Sequence, residues 1–246
     1  MSGAASYTRY ELLRTFRNRR FLVFSLAIPL VIYAAFAIPN RNDHDFNGSG
    51  IPFALYYMVS LASFGTMMAM VSSGARIAGE RATGWTRQLR ITPLSTRAYF
   101  QAKILTAYVM AATSITGLFV FGIALGVRMP LGDWLQTVAL LLVGLLPFAA
   151  LGVMLGHLLN VDSMGPATGG IVSLLAFLGG TWAPVASHGF LHALALALPS
   201  YWLVQASHVS LGGSGWGATG WLIVAGWAIV LTRLARYAYR RDTNRL

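Results

Sequence analysis

Residues 80–95 read Glu-Arg-Ala-Thr-Gly-Trp-Thr-Arg-Gln-Leu-Arg-Ile-Thr-Pro-Leu-Ser and form a polar, arginine-rich island between two long apolar segments. The island and its flanks hold six basic residues, namely Arg76, Arg81, Arg87, Arg90, Arg97 and Lys103. Short basic loops between membrane spans are retained in the cytoplasm. We therefore expect residues 75–103 to form a cytoplasmic loop that connects two membrane-spanning helices.

The composition is typical of an integral membrane protein. Of 246 residues, 56% are hydrophobic and only 10% are charged, whereas soluble domains carry about 25% charged residues. The mean hydropathy is +0.62. A net charge of +11 would also suit a nucleic-acid binder, but basic residues that face anionic lipid headgroups produce the same total. We expect contact with membrane lipid and none with nucleic acid.

Six apolar runs approach or exceed the roughly 20 residues that a spanning helix needs. They are residues 21–38, 51–74, 104–127, 134–156, 164–183 and 216–234. The first run also resembles a signal peptide, because basic residues precede it and Ala35-Phe36-Ala37 resembles a cleavage site. Since the sequence begins at Met1 with this run in place, we expect a retained span. The predicted fold is an all-α integral membrane protein with a single transmembrane domain over residues 1–246.

Two segments outside these runs also have an expected place in the membrane. Residues 1–20 carry five arginines, with Leu12, Leu13 and Phe16 on one side of a helix, which predicts an interfacial helix. A solvated basic tail is the alternative. Residues 184–215 contain an apolar run that ends before Pro199. That run is too short to cross about 30 Å of hydrocarbon, so we expect a re-entrant or interfacial segment.

The distribution of basic residues predicts the orientation. Of the 18 lysines and arginines, five precede the first span, six lie in residues 75–103 and five follow residue 231. Only Arg41 and Arg128 fall on the remaining loops. An even number of spans places both basic termini in the cytoplasm, as the positive-inside rule requires.

The chain offers little for catalysis or metal binding. Its single lysine, Lys103, is not part of a phosphate-binding loop, so we expect no ATP hydrolysis by this chain and no catalytic residue. It has no cysteine, and His188 and His192 lack a third ligand nearby, so we expect no metal. The predicted spans carry no ionisable residue away from their ends, which argues against ion-coupled transporters and voltage sensors.

The pattern Glu80-Arg81, Gly84, Leu89 and Thr92-Pro93-Leu94-Ser95 resembles the type-2 ABC exporter permease family, and within it the drug and antibiotic exporter branch. In that family the first cytoplasmic loop forms a coupling helix that sits in a groove of the ATPase subunit. This chain departs from the usual Thr-Leu-Glu by having Trp85-Thr86-Arg87.

The resemblance implies a docking role for residues of this loop. They are Glu80, Arg81, Gly84, Trp85, Arg87, Leu89, Arg90 and Pro93. We predict one short helix over about Gly79–Ile91. Pro93 disfavours helical backbone at the residue before it and should end that helix. Ser95 is expected to cap the next helix.

The resemblance also implies a function. We expect a permease subunit of an ATP-driven exporter in a bacterial inner membrane, as a homodimer or paired with a related permease. Two ATP-binding cassette subunits would hold ATP and Mg²⁺, and this chain would bind no cofactor. The expected path residues are Phe64, Met67 and Met68, and the expected outer gate residues are Phe190 and Pro199.

The sequence leaves the substrate and one other function open. An apolar path suits drugs, antibiotics, lipids and peptides alike. The alternative function is a non-transporting membrane assembly or anchoring factor, which would have no ATPase partner. An intramembrane enzyme would need a catalytic pair that the predicted spans do not offer.

Overall fold

The computed structural model describes residues 3–17, 19–46, 50–92, 94–185, 188–212 and 215–243, with the backbone alone at 3, 4, 19–26, 87, 90, 210 and 243. Within these ranges the secondary structure is helical and contains no β-strand. The all-α prediction is therefore confirmed.

Six helices form the first half of the chain. They are α1 (Gly3–Arg17), α2 (Arg19–Ala37), α3 (Phe53–Ser72), α4 (Gly74–Ala82), α5 (Trp85–Arg90) and α6 (Thr96–Ala124). The second half contains α7 (Leu131–Gly144), α8 (Leu146–Leu158), α9 (Val161–Gly179), α10 (Phe190–Leu196), α11 (Pro199–His208), a 3₁₀ turn (Val209–Leu211) and α12 (Ala218–Thr243).

Five stretches of the described chain are long and apolar enough to cross a membrane. They are Phe53–Ala82, Thr96–Ala124, Leu131–Leu158, Val161–Gly179 and Ala218–Asp242. The first predicted span coincides with α2. Within it, Ala27–Ala37 is apolar but shorter than the five stretches above. The count of six spans therefore remains a prediction, while the multi-pass character of the chain is clear.

Helix α6 begins at Thr96, well before the predicted start of the third span at residue 104. The Ser95 hydroxyl accepts a hydrogen bond from the Ala98 amide at 3.2 Å, which confirms the predicted helix cap. Lys103 therefore lies within α6, whereas the sequence predicted that it belongs to the cytoplasmic loop of residues 75–103.

The predicted fourth span consists of two helices, α7 and α8, which meet at Leu145. Pro147 lies in the first turn of α8. Proline has no amide hydrogen to donate and is tolerated in a first turn but not in a helix interior, so the break occurs there.

Helix α3 is at the centre of the bundle. It contacts α2, α6, α8, α9 and α11. In the most apolar 18 residues of Phe53–Ala82, the stretch that begins with α3, 83% of the residues are buried. The corresponding share is 22% for α9 and for α12. Met58, Met67 and Met70 have no exposed area. The methionine-rich composition of this segment therefore fills the protein core.

Glycines allow α8 to approach α3 and α4 closely. A Cβ atom on Gly152 would lie 2.5 Å from the Met70 carbonyl oxygen, and one on Gly156 would lie 2.5 Å from the Gly74 carbonyl oxygen. Gly165 and Gly169 on α9, in contrast, have no neighbour within 4 Å of such an atom. The first glycine pair packs helices within the chain, and the second faces open space.

Helix α1 is an integral part of the bundle. Its Glu11 and Thr15 are buried, and its Tyr7 ring lies 6.2 Å from the Tyr99 ring of α6. The solvated-tail alternative is therefore wrong, because a buried carboxylate and a ring contact hold this segment. Tyr10 and Leu13 remain exposed on the opposite face, and the place of this face at the lipid interface stays a prediction.

Candidate docking site

The loop between α3 and α6 contains two short helices instead of the single helix predicted over Gly79–Ile91. That prediction is wrong at Gly84, which has a φ of +72° and separates α4 from α5. This left-handed conformation is readily adopted only by glycine. Gly84 therefore sets the angle at which α5 leaves α4.

Helix α5 carries the surface that faces away from the bundle. Trp85 and Leu89 are both half-buried, Gln88 is exposed, and Ile91, directly after the helix, is 89% exposed. The side chains of Arg87 and Arg90, and Pro93 as a whole, lie outside the described residues. An exposed isoleucine near two half-buried apolar residues gives a small apolar surface. Trp85 and Leu89 are among the docking residues expected from the sequence, and Ile91 is not.

A group of charged side chains lies where α1, α4 and α6 meet. We call it the ionic cluster and define it as Glu11, Arg14, Arg76, Glu80 and Lys103. Lys103 donates hydrogen bonds to Glu11 Oε1 at 2.7 Å and to Glu80 Oε1 at 2.5 Å. These three side chains are 2%, 1% and 0% exposed. Lys103 therefore joins α1, α4 and α6 at one point.

The two arginines complete this cluster. Arg14, which is half-exposed, donates to Glu80 Oε1 at 3.0 Å, and Arg76 lies 4.0 Å from Glu11 Oε1 and donates to the Thr15 hydroxyl. The Tyr99 hydroxyl donates to Glu80 Oε2 at 3.3 Å. Glu80 thus accepts hydrogen bonds from three donors, and Glu11 accepts one from Lys103 and lies near a second cation, Arg76. These contacts offset the cost of removing the carboxylates from water.

Tyr7 on α1 lies beside the cluster. Burial raises the pKa of its phenol, and the nearby carboxylates of Glu80 and Glu11 raise it further. The phenol therefore stays protonated at neutral pH and adds no charge to the cluster.

Arg81 forms a second anchor on the other side of α4. Its Nη1 donates to the carbonyl oxygens of Gly156 at 3.1 Å and Leu159 at 3.0 Å, and its Nη2 lies 2.8 Å from Asp242 Oδ1. Asp242 Oδ2 lies 3.2 Å from His157 Nδ1. A cation at the carbonyl end of a helix is favoured by the helix dipole. Arg81 thereby holds α4 to the ends of α8 and α12.

These contacts correct the roles expected of Glu80 and Arg81. The family pattern had placed both on the surface presented to a partner, yet Glu80 has no exposed area and Arg81 bonds to α8 and α12. Both side chains face inward and position the loop.

The expected path residues lie mostly inside the protein. Met67 has no exposed area and Phe64 is buried, with its ring 5.3 Å from Trp182, while Met68 is half-buried. Of these three residues only Met68 is partly exposed in this conformation. The physical reason is that other helices of the bundle surround α3, among them α2, α6, α8, α9 and α11.

The expected gate residues differ in exposure. Phe190 begins α10 and is 80% exposed, whereas Pro199 is buried in the first turn of α11. The structure therefore brings Phe190, but not Pro199, to the surface.

Glu11, Arg14, Lys103 and Asp242 are site residues that the sequence analysis missed. The chain has seven acidic residues against 18 basic ones. Glu11, Glu80 and Asp242 each stand alone in an arginine-rich segment. An isolated carboxylate among arginines was the available signal that an ion pair would form there. Within the described residues, no three of the His, Asp and Glu side chains group as a metal site.

Comparisons with known proteins agree with this architecture. Residues 39–237 match the family model described as "ABC-2 family transporter protein". Over 239 residues the chain is 28% identical to YvfS of Bacillus subtilis (strain 168), an inferred transport permease, covering 94% of this chain and 95% of the relative. The resemblance expected from residues 80–95 is thus confirmed. The chain belongs to the ABC-2 family of transporters, as a multi-pass permease subunit of an ABC transporter.

Proposed function

We propose that this chain is the permease of an ATP-driven exporter that moves an amphiphilic substrate out of the cytoplasm. Two copies would assemble with two ATP-binding cassette subunits, which bind ATP and Mg²⁺ and dock on α5. The substrate would be a drug, an antibiotic, a lipid or a peptide. In this proposal the protein lies in a bacterial inner membrane with both termini in the cytoplasm.

One observation carries the proposal, namely the attachment of α4 and α5 to the rest of the bundle. On one side, Glu80 bonds to Lys103 of α6 and Arg14 of α1. On the other, Arg81 bonds to the ends of α8 and α12. A force applied to α5 would therefore reach four other helices through short polar contacts. This is the arrangement that a loop receiving mechanical input from a soluble partner needs.

The docking surface in this proposal is smaller than the sequence suggested. It consists of Trp85, Leu89 and Ile91, with Gln88 between them, because Glu80 and Arg81 face inward. A half-buried tryptophan and a neighbouring leucine form the kind of anchor on which protein interfaces depend.

The surface for a second copy is best supported at α9. Of the most apolar 18 residues of this helix, only 22% are buried, and Gly165 and Gly169 have open space around them. Small residues four apart allow helices to approach closely in a membrane. A path between two copies would then run beside α9, with Met68 as the contribution of α3.

The proposal is tested with a candidate ATP-binding cassette subunit, purified together with the chain in lipid nanodiscs. Trp85→Ala combined with Leu89→Ala should reduce recovery of the complex and its ATPase activity by about tenfold, since each lost anchor is worth about 1 kcal/mol or more. Leu131→Ala combined with Leu135→Ala, two exposed leucines of α7, is the matched control. Unchanged assembly and activity in the α5 variant would contradict the docking role.

A further inference from the structure

A cavity of about 390 Å³ lies at the opposite end of the bundle from the ionic cluster. It is bounded by the start of α3, the residues after α9, helix α11 and the turn that follows α11. This volume is within the range of about 300–1,000 Å³ that small-molecule sites occupy. We call it the α9–α11 cavity.

The described lining of the cavity contains no aspartate, glutamate, lysine or arginine. Its polar side chains are Tyr56, Tyr201, Gln205 and His208, set among aliphatic residues such as Val204 and Leu211. Helix α11 has 10 residues and is too short to span the membrane. Burial lowers the pKa of His208 to about 4. The cavity is therefore uncharged at neutral pH.

Two of these rings form a rigid aromatic wall. The His208 imidazole stacks on the Tyr56 ring with centroids 4.6 Å apart and an interplanar angle of 20°. The Ser60 hydroxyl lies 2.7 Å from His208 Nε2 and holds the imidazole in place. A fixed pair of stacked rings offers an apolar surface to a ligand at little cost in side-chain entropy.

The remaining polar groups have no partner among the described residues. The Tyr56 and Tyr201 hydroxyls and the Gln205 amide line the cavity and make no hydrogen bond to the described part of the chain. Together they offer both donors and acceptors to a molecule in the cavity. An apolar ligand would leave all three unsatisfied, and a charged ligand would find no counter-ion.

We infer that the α9–α11 cavity is a binding site for an uncharged, hydroxylated ring, with Tyr201 and Gln205 as its hydrogen-bonding groups. In the proposed orientation the cavity opens at the outer end of the bundle. The ring is then the headgroup of an exported amphiphile, and this last step alone rests on the proposed function.

The test uses photolabelling of the full chain with its ATP-binding subunit in nanodiscs, without ATP. The probe is 4-azidophenyl β-D-glucoside, and 4-azidobenzoate and 4-azidobenzylamine serve as anionic and cationic probes with the same ring. Labelled peptides are identified by mass spectrometry, with excess methyl β-D-glucoside as competitor. We expect competed labelling by the glucoside in the peptides that contain Tyr56 or α11, at least several-fold above that by either charged probe.

Tyr201→Phe combined with Gln205→Leu should reduce this labelling by about tenfold, because two hydrogen bonds are lost. The same two exchanges at exposed positions, Tyr237→Phe and Gln136→Leu, should leave it unchanged. Equal labelling by all three probes, or full labelling of the α11 variant, would overturn the inference. Since no ATP is involved, this result is independent of whether α5 docks an ATPase.

Discussion

The two ends of the bundle are held together by different physical forces. At the basic end, Glu11, Glu80 and Lys103 form buried ion pairs between α1, α4 and α6. At the other end, aromatic rings pack the start of α3. Phe53 and Tyr57 stack at 4.4 Å, and Phe46 lies 5.2 Å from Phe53. Helix α3 separates these ends by its 20 residues, or about 30 Å.

This difference matters because the two kinds of contact respond differently to change. Removing one partner of a buried ion pair leaves an uncompensated charge, so such a pair strongly favours one arrangement of its helices. Ring contacts are weaker individually and can adjust their angle. The end proposed to receive force is thus rigid, and the aromatic cluster of Phe46, Phe53 and Tyr57 at the other end can rearrange at lower cost.

The largest effect is expected for Lys103→Met, which leaves Glu11 and Glu80 buried without their shared cation. The loss in unfolding free energy should be about 3–5 kcal/mol, measured by thermal unfolding of the purified chain. Adding Glu80→Gln to Lys103→Met should recover part of that loss, because one buried charge is gone while Glu11 keeps Arg76 and the half-exposed Arg14 stays in contact with water. A double variant as unstable as Lys103→Met would show that the cluster is not held by charge.

At the aromatic end, Phe53→Leu removes the ring pairs with Phe46 and Tyr57 while it keeps an apolar side chain. Each pair is worth about 0.5–1.5 kcal/mol, so the expected loss is about 1–3 kcal/mol. The same thermal unfolding assay measures it. A loss as large as that of Lys103→Met would contradict the distinction between the two ends.

At the junction of α4 and α5, Gly84→Ala places a Cβ atom in a left-handed conformation, φ +72°. The strain is about 1–2 kcal/mol, and no neighbouring atom lies within 4 Å of the new Cβ atom. We expect the chain to remain folded while ATPase activity of the complex decreases, because α5 changes its angle. Gly226→Ala, which also meets no neighbour but lies within α12, is the control in one assay of both properties.

The smallest effect is expected for Asp242→Asn, which weakens the contacts with Arg81 and His157. Because Arg81 and Asp242 are partly exposed, we expect a loss of only about 1 kcal/mol. Exposed Arg233→Gln on the same helix should change stability by less than about 0.5 kcal/mol. If Asp242→Asn and Arg233→Gln behaved alike, the Asp242 contact would make no contribution to the second anchor of α4.

The sequence predicted features that depend on local chemistry. Hydropathy located α3, α6, α9 and α12 to within several residues, and the cap by Ser95 followed from its side chain. It did not predict the break at Gly84, because glycine is also compatible with a helix interior at modest cost. It could not predict that Lys103 meets Glu11, since these residues are far apart in the chain and only tertiary packing joins α1 to α6.

The inward orientation of Glu80 illustrates the same limit. A motif identifies which residues recur, but not whether they contact a partner or hold the loop that does. Here the Glu80 carboxylate binds Arg14 of α1 and Lys103 of α6, and the apolar residues of α5 remain for docking. The loop therefore consists of α4, which ion pairs hold to the bundle, and α5, which presents a small apolar surface.

Cross-linking from α5 tests the docking claim most directly, because the chain contains no cysteine and single cysteines can be introduced without background. Leu89→Cys and, as control, the exposed Leu131→Cys at the start of α7 would be labelled with a maleimide–benzophenone reagent and irradiated in the complex with the ATP-binding subunit, so that no cysteine is needed on the partner. We predict a cross-link to that subunit from Leu89→Cys and none from Leu131→Cys. No cross-link from Leu89→Cys in an intact complex, or equal cross-linking from both positions, would contradict docking at α5.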